Sequence, residues 1–368
     1  MKSQAAKKVF IALSGGVDSS VAATLLKKRG FNVRGIHMKM WFDPDIPCIS
    51  REDRLDAARV AAHLGIPFET WDFTKEYKKE VVDYMVREYA EGRTPNPDVM
   101  CNRHIKFGLF LKKAMKRGAD FIATGHYIRI KNQESRIKML KAKDLNKDQS
   151  YFLWTLTQDQ LQHCLFPIGD YTKPQVRALA RKFGLPTAKK EESQGVCFIG
   201  EFDMKKFLKK RIPEVRGLVV TTGGKMVGEH EGLSFYTIGE RHGLGIGGGI
   251  PYYVAAKDFK TNTLIVGEGP DDEKLFQKEL IVKNVNWISG KEPKLPLKCE
   301  ARIRYRQPLQ TTRITKYELG IRKKTKSKSI IRNSSFLIQF SGPQRAVTPG
   351  QSVVFYQGDE MLGGGIIA

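Results

Sequence analysis

A strand-like run, Val9-Phe10-Ile11-Ala12-Leu13, feeds directly into Ser14-Gly15-Gly16-Val17-Asp18-Ser19-Ser20. Apolar residues then recur at helical spacing, Val17, Val21, Leu25 and Leu26, until Gly30. Strand, glycine turn and helix start in immediate succession predict the opening of a parallel sheet covered by helices. Gly15 and Gly16 let the backbone turn tightly and bring its N–H groups close to an oxyanion. The unpaired amides and the dipole of the helix that follows favour negative charge there, so the segment reads as a phosphate site. A plain glycine turn with a serine cap is the alternative reading. The lysine of a G-x-x-x-x-G-K-S/T loop is absent, which argues against an enzyme that splits the β–γ bond of a nucleoside triphosphate.

Strand-like and helix-like segments alternate to about residue 200, which predicts a parallel sheet with helices on both faces. Val33 to Met38 and Phe68 to Phe73 read as strands, Arg51 to Leu64 and Lys75 to Tyr89 as helices. Arg93-Thr94-Pro95-Asn96-Pro97-Asp98 reads as a stiff, exposed loop, because two prolines forbid regular helix. A basic amphipathic helix over roughly Asn102 to Arg117 and the strand 120–124 follow. In such sheets ligands bind beyond the carboxyl ends of the strands, where Ser14, Gly125 and His126 fall.

After about Arg211 the pattern becomes β-rich. Gly217 to Gly228 reads as a hairpin around Gly223-Gly224, and Phe235-Tyr236-Thr237 and Pro251 to Ala255 continue a small β domain. From Lys278, short alternating runs, Leu280-Ile281-Val282, Cys299 to Tyr305, Phe336 to Phe340 and Ser352 to Tyr356, predict a second all-β unit, a small barrel. The expected division is 1–211, 212–277 and 278–368. Arg322-Lys323-Lys324-Thr325-Lys326-Ser327-Lys328 reads as a solvated loop between two strands.

With 63 Lys and Arg against 39 Asp and Glu, the formal charge of +24 suits a polyanion binder, and nucleic acid is the favoured partner. The apolar stretch near Met1 is too short for a signal segment or a membrane span, so the expected location is the cytoplasm with no membrane partner. The five cysteines, Cys48, Cys101, Cys164, Cys197 and Cys299, include no C-x-x-C pair, which points away from a disulfide scaffold or a closed zinc site. Cys48, Cys164 and Cys299 read as buried small hydrophobes.

The loop at 14–20 resembles that of the ATP pyrophosphatases. Further motifs sharpen this: Asn96-Pro97-Asp98-Val99-Met100-Cys101-Asn102, Ala123-Thr124-Gly125-His126-Tyr127, Lys147-Asp148-Gln149-Ser150-Tyr151-Phe152-Leu153, Ser193-Gln194-Gly195-Val196-Cys197-Phe198-Ile199-Gly200, Phe235 to Arg241, Arg304-Tyr305-Arg306-Gln307 and Thr348-Pro349-Gly350-Gln351. From about residue 8 to the C-terminus they resemble the bacterial tRNA-specific 2-thiouridylases. The resemblance implies an α/β ATP-pyrophosphatase domain, a β-rich central domain and a C-terminal β-barrel. It implies ATP-dependent replacement of the C2 oxygen of the wobble uridine, position 34, by sulfur in tRNAs for Lys, Glu and Gln.

What the resemblance implies can be carried residue by residue. Ala12, Leu13, Ser14, Gly15, Gly16, Val17, Asp18, Ser19, Met38 and Gly125 would hold ATP, which arrives with Mg2+. Cys197 would carry a persulfide, Cys101 would be the partner nucleophile and Asp98 the acid/base. Asn96, Pro97, Asp98, His126, Lys147, Asp148, Gln149, Arg304, Tyr305 and Gln351 would meet the tRNA, and the Asp148-Gln149-Ser150 stretch is hard to explain as packing. Asp98 could equally cap the helix that begins near Cys101. A persulfide carrier protein or a cysteine desulfurase would supply sulfur, and the chain is expected to be a monomer. An alternative keeps Asp98, Cys101 and Cys197 as ligands of an iron–sulfur cluster. Glu192-Ser193 stands where family members often have Asp-Ser, and the 318–332 stretch looks like an insertion. Two other classes are expected to fail: a pyrophosphate-loop synthetase for a small metabolite leaves the charge and the cysteine motifs unexplained, and a non-catalytic RNA-binding scaffold leaves an intact loop unexplained.

Overall fold

The N-terminal apolar run becomes β1 (Lys8–Ala12), the centre of a parallel sheet of order β3-β2-β1-β4-β7, with β2 Asn32–Lys39, β3 Phe68–Asp72, β4 Phe121–Ala123 and β7 Cys164–Leu165. The chain, a computed structural model, is described over residues 6–43, 50–133, 136–191, 203–247, 249–317 and 335–368. Both faces of β1 are buried, with the strand's two-residue period dividing its side chains. Val9, Ile11 and Leu13 pack with Val17–Lys28, Ser50–Leu64 and Lys173–Lys182; Phe10 and Ala12 pack with helices 74–90 and 97–116. Register pins β1 on both sides, Ile11 opposite Gly35 of β2 and Ala123 of β4. The strand ends therefore open together onto the segment that begins at Ser14.

The helices on the Phe10 side both contain wide, π-wound turns, Lys78–Asp83 and Cys101–Phe110. Such turns persist where something compensates them, frequently at functional sites. The second helix begins earlier than its apolar period suggests. Asn96 is its N-cap, accepting a hydrogen bond from Val99 N–H at 3.3 Å, and Pro97 opens the first turn. Asp98 sits in that turn and is not the cap.

The proline loop before it is stiff, but it is not exposed. Thr94 and Pro95 are buried. Thr94 N–H donates to the Pro349 carbonyl at 2.9 Å, and the Gln351 amide donates to the carbonyls of Thr94 and Pro95 at 3.1 and 3.2 Å. Backbone polar groups fixed by proline geometry need partners, and the C-terminal domain supplies them.

A four-stranded sheet of order β10-β11-β8-β9 forms the centre of the chain, built from β8 Gly217–Thr221, β9 Met226–His230, β10 Tyr252–Asp258 and β11 Thr263–Glu268. Phe235 to Thr237 does not join it: Leu233–Phe235 makes a 3-10 turn that buries Leu233, Phe235 and Tyr236 against the main core. The last six strands, β12 Phe276–Trp287, β13 Leu297–Arg302, β14 Gln310–Tyr317, β15 Ser335–Arg345, β16 Ser352–Gln357 and β17 Glu360–Ile367, close into a barrel because β12 pairs with both β15 and β17. Closure removes every free edge but one register, where β6 (Arg136–Leu140) of a hairpin with β5 (Arg129–Gln133) pairs with β17. Arg136 and Lys138 both reach Glu360, at 2.8 and 2.7 Å, across this joint. The sheet domain and the barrel are thus stitched by strand pairing. No helix among the described residues is long and apolar enough to cross a membrane.

Candidate active site

At the end of β1 the chain turns through Gly15, whose φ of +80° is a left-handed value and whose missing Cβ would lie 2.3 Å from the carbonyl oxygen of Asp53. Only glycine fits this position without a shift. Ser19 Oγ lies 3.2 Å from Ser14 Oγ and donates to the Gly16 carbonyl, and Ser20 Oγ donates to the same carbonyl at 2.7 Å. Hydroxyls therefore brace the turn from within. The helix that follows has Gly16 as its N-cap, which has no side chain to bond its first amides, and among the described residues no other side chain is seen to cap them. An uncapped helix N-terminus at the carboxyl edge of a parallel sheet is an anion site by geometry and dipole together.

Gly125, at the end of β4, closes the site from above. A Cβ there would stand 2.7 Å from the Ser19 nitrogen and 3.0 Å from the Asp18 carbonyl carbon. The two strand ends approach as closely as backbones allow, and the loop residues from Ala12 to Ser19 share one edge with Gly125. Next to it, His126 is buried, its Nδ1 2.8 Å from Thr124 Oγ1 and its ring 5.7 Å from that of Phe107. Burial, then the Lys106 ammonium, holds its pKa well below the usual imidazole range, so the ring is neutral at pH 7. His37 is likewise lowered, chiefly by burial, and its Nδ1 lies 3.3 Å from the Leu13 carbonyl. Met38 is partly buried against the main core.

Two residues that complete this site are not assigned to it from the sequence, although Tyr127 closes the Ala123-to-Tyr127 motif. Tyr127 donates its hydroxyl to Asp18 Oδ1 at 2.8 Å, and the Lys173 ammonium binds both carboxylate oxygens, at 2.7 and 2.8 Å. Lys173 lies 155 residues along the chain from Asp18, on a Thr-Lys-Pro-Gln helix start that reads as ordinary. Thr187 also reaches the loop, donating to Ser20 Oγ at 3.1 Å.

Cys101 is 3% exposed and opens the wide-turned part of helix 97–116, three positions after the half-buried Asp98. Cys197, with Glu192-Ser193, lies outside the described residues, as do Cys48 and the 318–332 stretch. Cys164 and Cys299 are buried thiols. Burial pushes both up, Cys299 to about 12 with help from Glu300, which makes them inert packing groups, as their positions in the sequence suggest. Among the described residues no three His, Cys, Asp or Glu side chains gather as a metal set.

The residues expected to meet tRNA divide into two groups. Asn96 and Pro97 start helix 97–116, Lys147 is partly exposed, and the Tyr305 ring lies 4.7 Å from that of Phe152 at a tilt of 48°. Asp148 is not at the surface: it is 1% exposed, accepts from Ala142 N–H at 3.1 Å and Ser150 Oγ at 2.8 Å, and is pushed upward in pKa by burial. Ser150 continues the network to Tyr356 in the barrel at 2.9 Å. The stretch is therefore explained by packing after all. Gln149 accepts from Tyr127 N–H at 2.9 Å, which joins this segment to the phosphate loop through Tyr127 and Asp18. Arg304 donates to the Ala346 and Ile238 carbonyls at 2.9 and 3.3 Å, and Gln351 holds Thr94 and Pro95, so both side chains tie domains together. Their charge and amide patterns in sequence do not distinguish a rivet from an RNA contact.

Three family models cover the chain: a tRNA methyl transferase HUP domain over residues 7–201, a tRNA methyl transferase PRC-barrel domain over 205–268 and an aminomethyltransferase beta-barrel domain over 277–367. The tRNA-specific 2-thiouridylase MnmA of Geobacillus thermodenitrificans is 47% identical over 363 residues, covering 98% of this chain and 94% of that protein. The protein of the same name from Streptococcus sanguinis is 46% identical over 368 residues, covering 98% and 95%. Among solved structures, the U34-tRNA thiolase NcsA from Methanococcus maripaludis with its 4Fe-4S cluster is 20% identical, with a TM-score of 0.34, over 55% of this chain and 62% of that one.

Proposed function

The chain belongs to the tRNA-specific 2-thiouridylase family, and from that membership we propose that it is an ATP-dependent sulfurtransferase that makes 2-thiouridine at the wobble position of tRNAs for Lys, Glu and Gln. The observation that carries the reading is the uncapped N-terminus of helix Val17–Lys28, placed behind a glycine turn and crowded by Gly125. It fits the phosphates of ATP, which comes as its Mg2+ complex.

A uracil carbonyl has a poor leaving oxygen. In the proposed first step the C2 oxygen attacks the α-phosphorus of ATP, pyrophosphate leaves into the amides of residues 15–19, and C2 now bears AMP as its leaving group. In this reading neutral His126, whose ring packs on Phe107 of helix 97–116, faces the target base, and Asp98 in the first turn of that helix moves a proton. In the second step the terminal sulfur of a Cys197 persulfide attacks C2 and AMP departs, leaving a C2–S–S–Cys197 link. The Cys101 thiolate then attacks the Cys197 sulfur, which frees 2-thiouridine and leaves a Cys101–Cys197 disulfide that an external thiol must reduce. The sulfur comes from a carrier protein or a cysteine desulfurase, and the enzyme works as a cytoplasmic monomer with domains 1–211, 212–277 and 278–368.

The test is pyrophosphate release measured with ATP alone and with ATP plus unmodified tRNA, followed by nucleoside analysis of the tRNA. Release that requires tRNA and yields 2-thiouridine is expected. Release indifferent to tRNA would indicate a metabolite synthetase, and no release a binding scaffold. Iron content and visible absorbance of anaerobically prepared protein separate the persulfide route from a cluster held by Asp98, Cys101 and Cys197. The +24 charge also predicts that tRNA affinity falls by about 10³-fold or more between about 50 and 200 mM salt if some 6–10 phosphates are contacted. Replacing the exposed Arg306 should flatten that slope, whereas Arg304→Ala should loosen the joint between domains. An equal slope in the Arg306 variant would move the RNA to another face.

A further inference from the structure

Thr94 directs every one of its polar groups away from its own domain. Its N–H donates to the Pro349 carbonyl at 2.9 Å, its carbonyl accepts from the Gln351 amide at 3.1 Å, and its hydroxyl lies 3.2 Å from that of Thr237. Pro95 has no N–H to give, and its carbonyl accepts from the same Gln351 amide at 3.2 Å. Two residues later the chain becomes the helix that carries Asp98 and Cys101. The approach to that helix is therefore held by the barrel turn 346–351 and by the central strap 236–240.

Both holders are themselves fixed. In the strap, Thr237 N–H donates to Glu240 Oε2 at 2.7 Å, and two backbone bonds lace it to β10, Gly239 N–H to the Val254 carbonyl at 2.7 Å and Val254 N–H to the Glu240 carbonyl at 2.9 Å. In the turn, Gly350 N–H donates to the Ile367 carbonyl and Ile367 N–H to the Gln351 carbonyl, both at 2.9 Å. Arg304 bonds strap and turn to each other through the Ile238 and Ala346 carbonyls. Gly350 meets the loop directly: its φ is +91°, and a Cβ there would stand 2.9 Å from the Thr94 carbonyl oxygen and 3.0 Å from Arg93 Cβ. The helix leaves its own first turn adjustable. One α-turn, Pro97–Met100, is followed by the π-wound Cys101–Phe110, so the regular hydrogen-bond ladder that would tie the first turn's rotation to the rest of the helix is interrupted at Cys101.

We propose that Thr237 and Gly350 are positioning residues for the thiolation chemistry: through Thr94 they set the place of the first turn of helix 97–116, and with it the Asp98 carboxylate and the Cys101 thiol. This rests on the roles given to Asp98 and Cys101 in the proposed function. The central domain and the barrel then take part in the chemistry, although neither of these residues supplies a reacting atom. A reacting group displaced by about 1 Å can lose about 10²-fold in rate with binding intact, so a clamp this far from the reacting atoms is enough to matter.

The test uses the full chain with ATP, tRNA and a sulfur source. Thr237→Val keeps the side chain's shape and removes the hydroxyl that meets Thr94. The single-turnover rate of 2-thiouridine formation at saturating ATP and tRNA is expected to fall about 10- to 100-fold, with the Kd for tRNA and the ATP concentration at half-maximal rate within about twofold of wild type. Thr237→Ser, which keeps the hydroxyl, should restore most of the rate. Combined with Asp98→Asn, Thr237→Val should cost much less than the product of the two separate losses, because one acts through the other. A wild-type rate in Thr237→Val, a serine variant no better than the valine one, or losses that multiply would overturn the proposal. So would parallel loss of rate and tRNA affinity, which is what a general loosening of the joint produces. If Thr237→Val does not fold, Gly350→Ala, whose added methyl pushes on Thr94 and Arg93 from the barrel side, carries the same comparison. Wild-type protein that makes no 2-thiouridine refutes the proposed function itself, whereas wild-type thiolation with unimpaired variants refutes only the positioning role.

Discussion

Asp18→Ala is expected to lower tRNA-dependent pyrophosphate release by about 10²–10³-fold while leaving tRNA affinity within about twofold of wild type. Asp18 bonds with Tyr127 and Lys173, beside the helix N-terminus, and its removal alters no exposed basic residue. The loss has two parts, the misplaced ammonium and the slackened Tyr127, so Asp18→Ala combined with Lys173→Met should cost little more than either alone. Ser14→Ala removes a milder brace, the hydroxyl that faces Ser19 Oγ at 3.2 Å and the Gly16 N–H at 3.4 Å, and should cost about tenfold. Filter binding and pyrophosphate release measured on the same preparations decide the matter. Parallel loss of both activities would mean that the segment at 14–20 is not a dedicated nucleotide site.

The elements of the sheet domain were legible because their signals are local. β1, the glycine turn and the helix after it are spelled out in consecutive residues, and the two-residue period of the barrel strands is equally direct. Hairpin 129–140 alternates as well, in Arg129-Ile130-Lys131 and Arg136-Ile137-Lys138, yet its partner β17 lies far along the chain and local pattern does not name partners. The same limit hid the chemistry of Lys173. A lysine that starts a helix looks like any other until the fold carries it to Asp18. The same limit applies to Asp148, Arg304 and Gln351, which the resemblance assigns to the tRNA: their residue types show that they can hydrogen-bond, not that their partners here are Ala142, Ala346 and Thr94. The proline loop failed for a related reason, since stiffness follows from Pro95 and Pro97 themselves, whereas burial depends on Pro349 and Gln351.

The two cysteines should come apart under mutation. A hydroxyl cannot carry a persulfide, so Cys197→Ser is expected to retain no labelled sulfur after incubation with a cysteine desulfurase and to make no 2-thiouridine. Cys101→Ser should load sulfur on Cys197 at the wild-type level and then stall, because the thiolate that cleaves the C2–S–S–Cys197 link is gone. Stalling leaves a specific product, tRNA covalently attached to the protein and released by an added thiol, which a loading defect cannot produce. Pyrophosphate release in the first turnover should survive in both variants, since neither thiol is needed for attack on ATP. Cys101 is 3% exposed in the core beside Val99 and Met100, so serine there also buries a hydroxyl, and a thermal melt must accompany the assay to show that the stalled protein is folded. Wild-type thiolation by folded Cys101→Ser would refute the two-cysteine route. Loss of bound iron from both variants would replace it with the cluster, because the same two sulfurs would then be ligands and neither would ever carry the transferred atom.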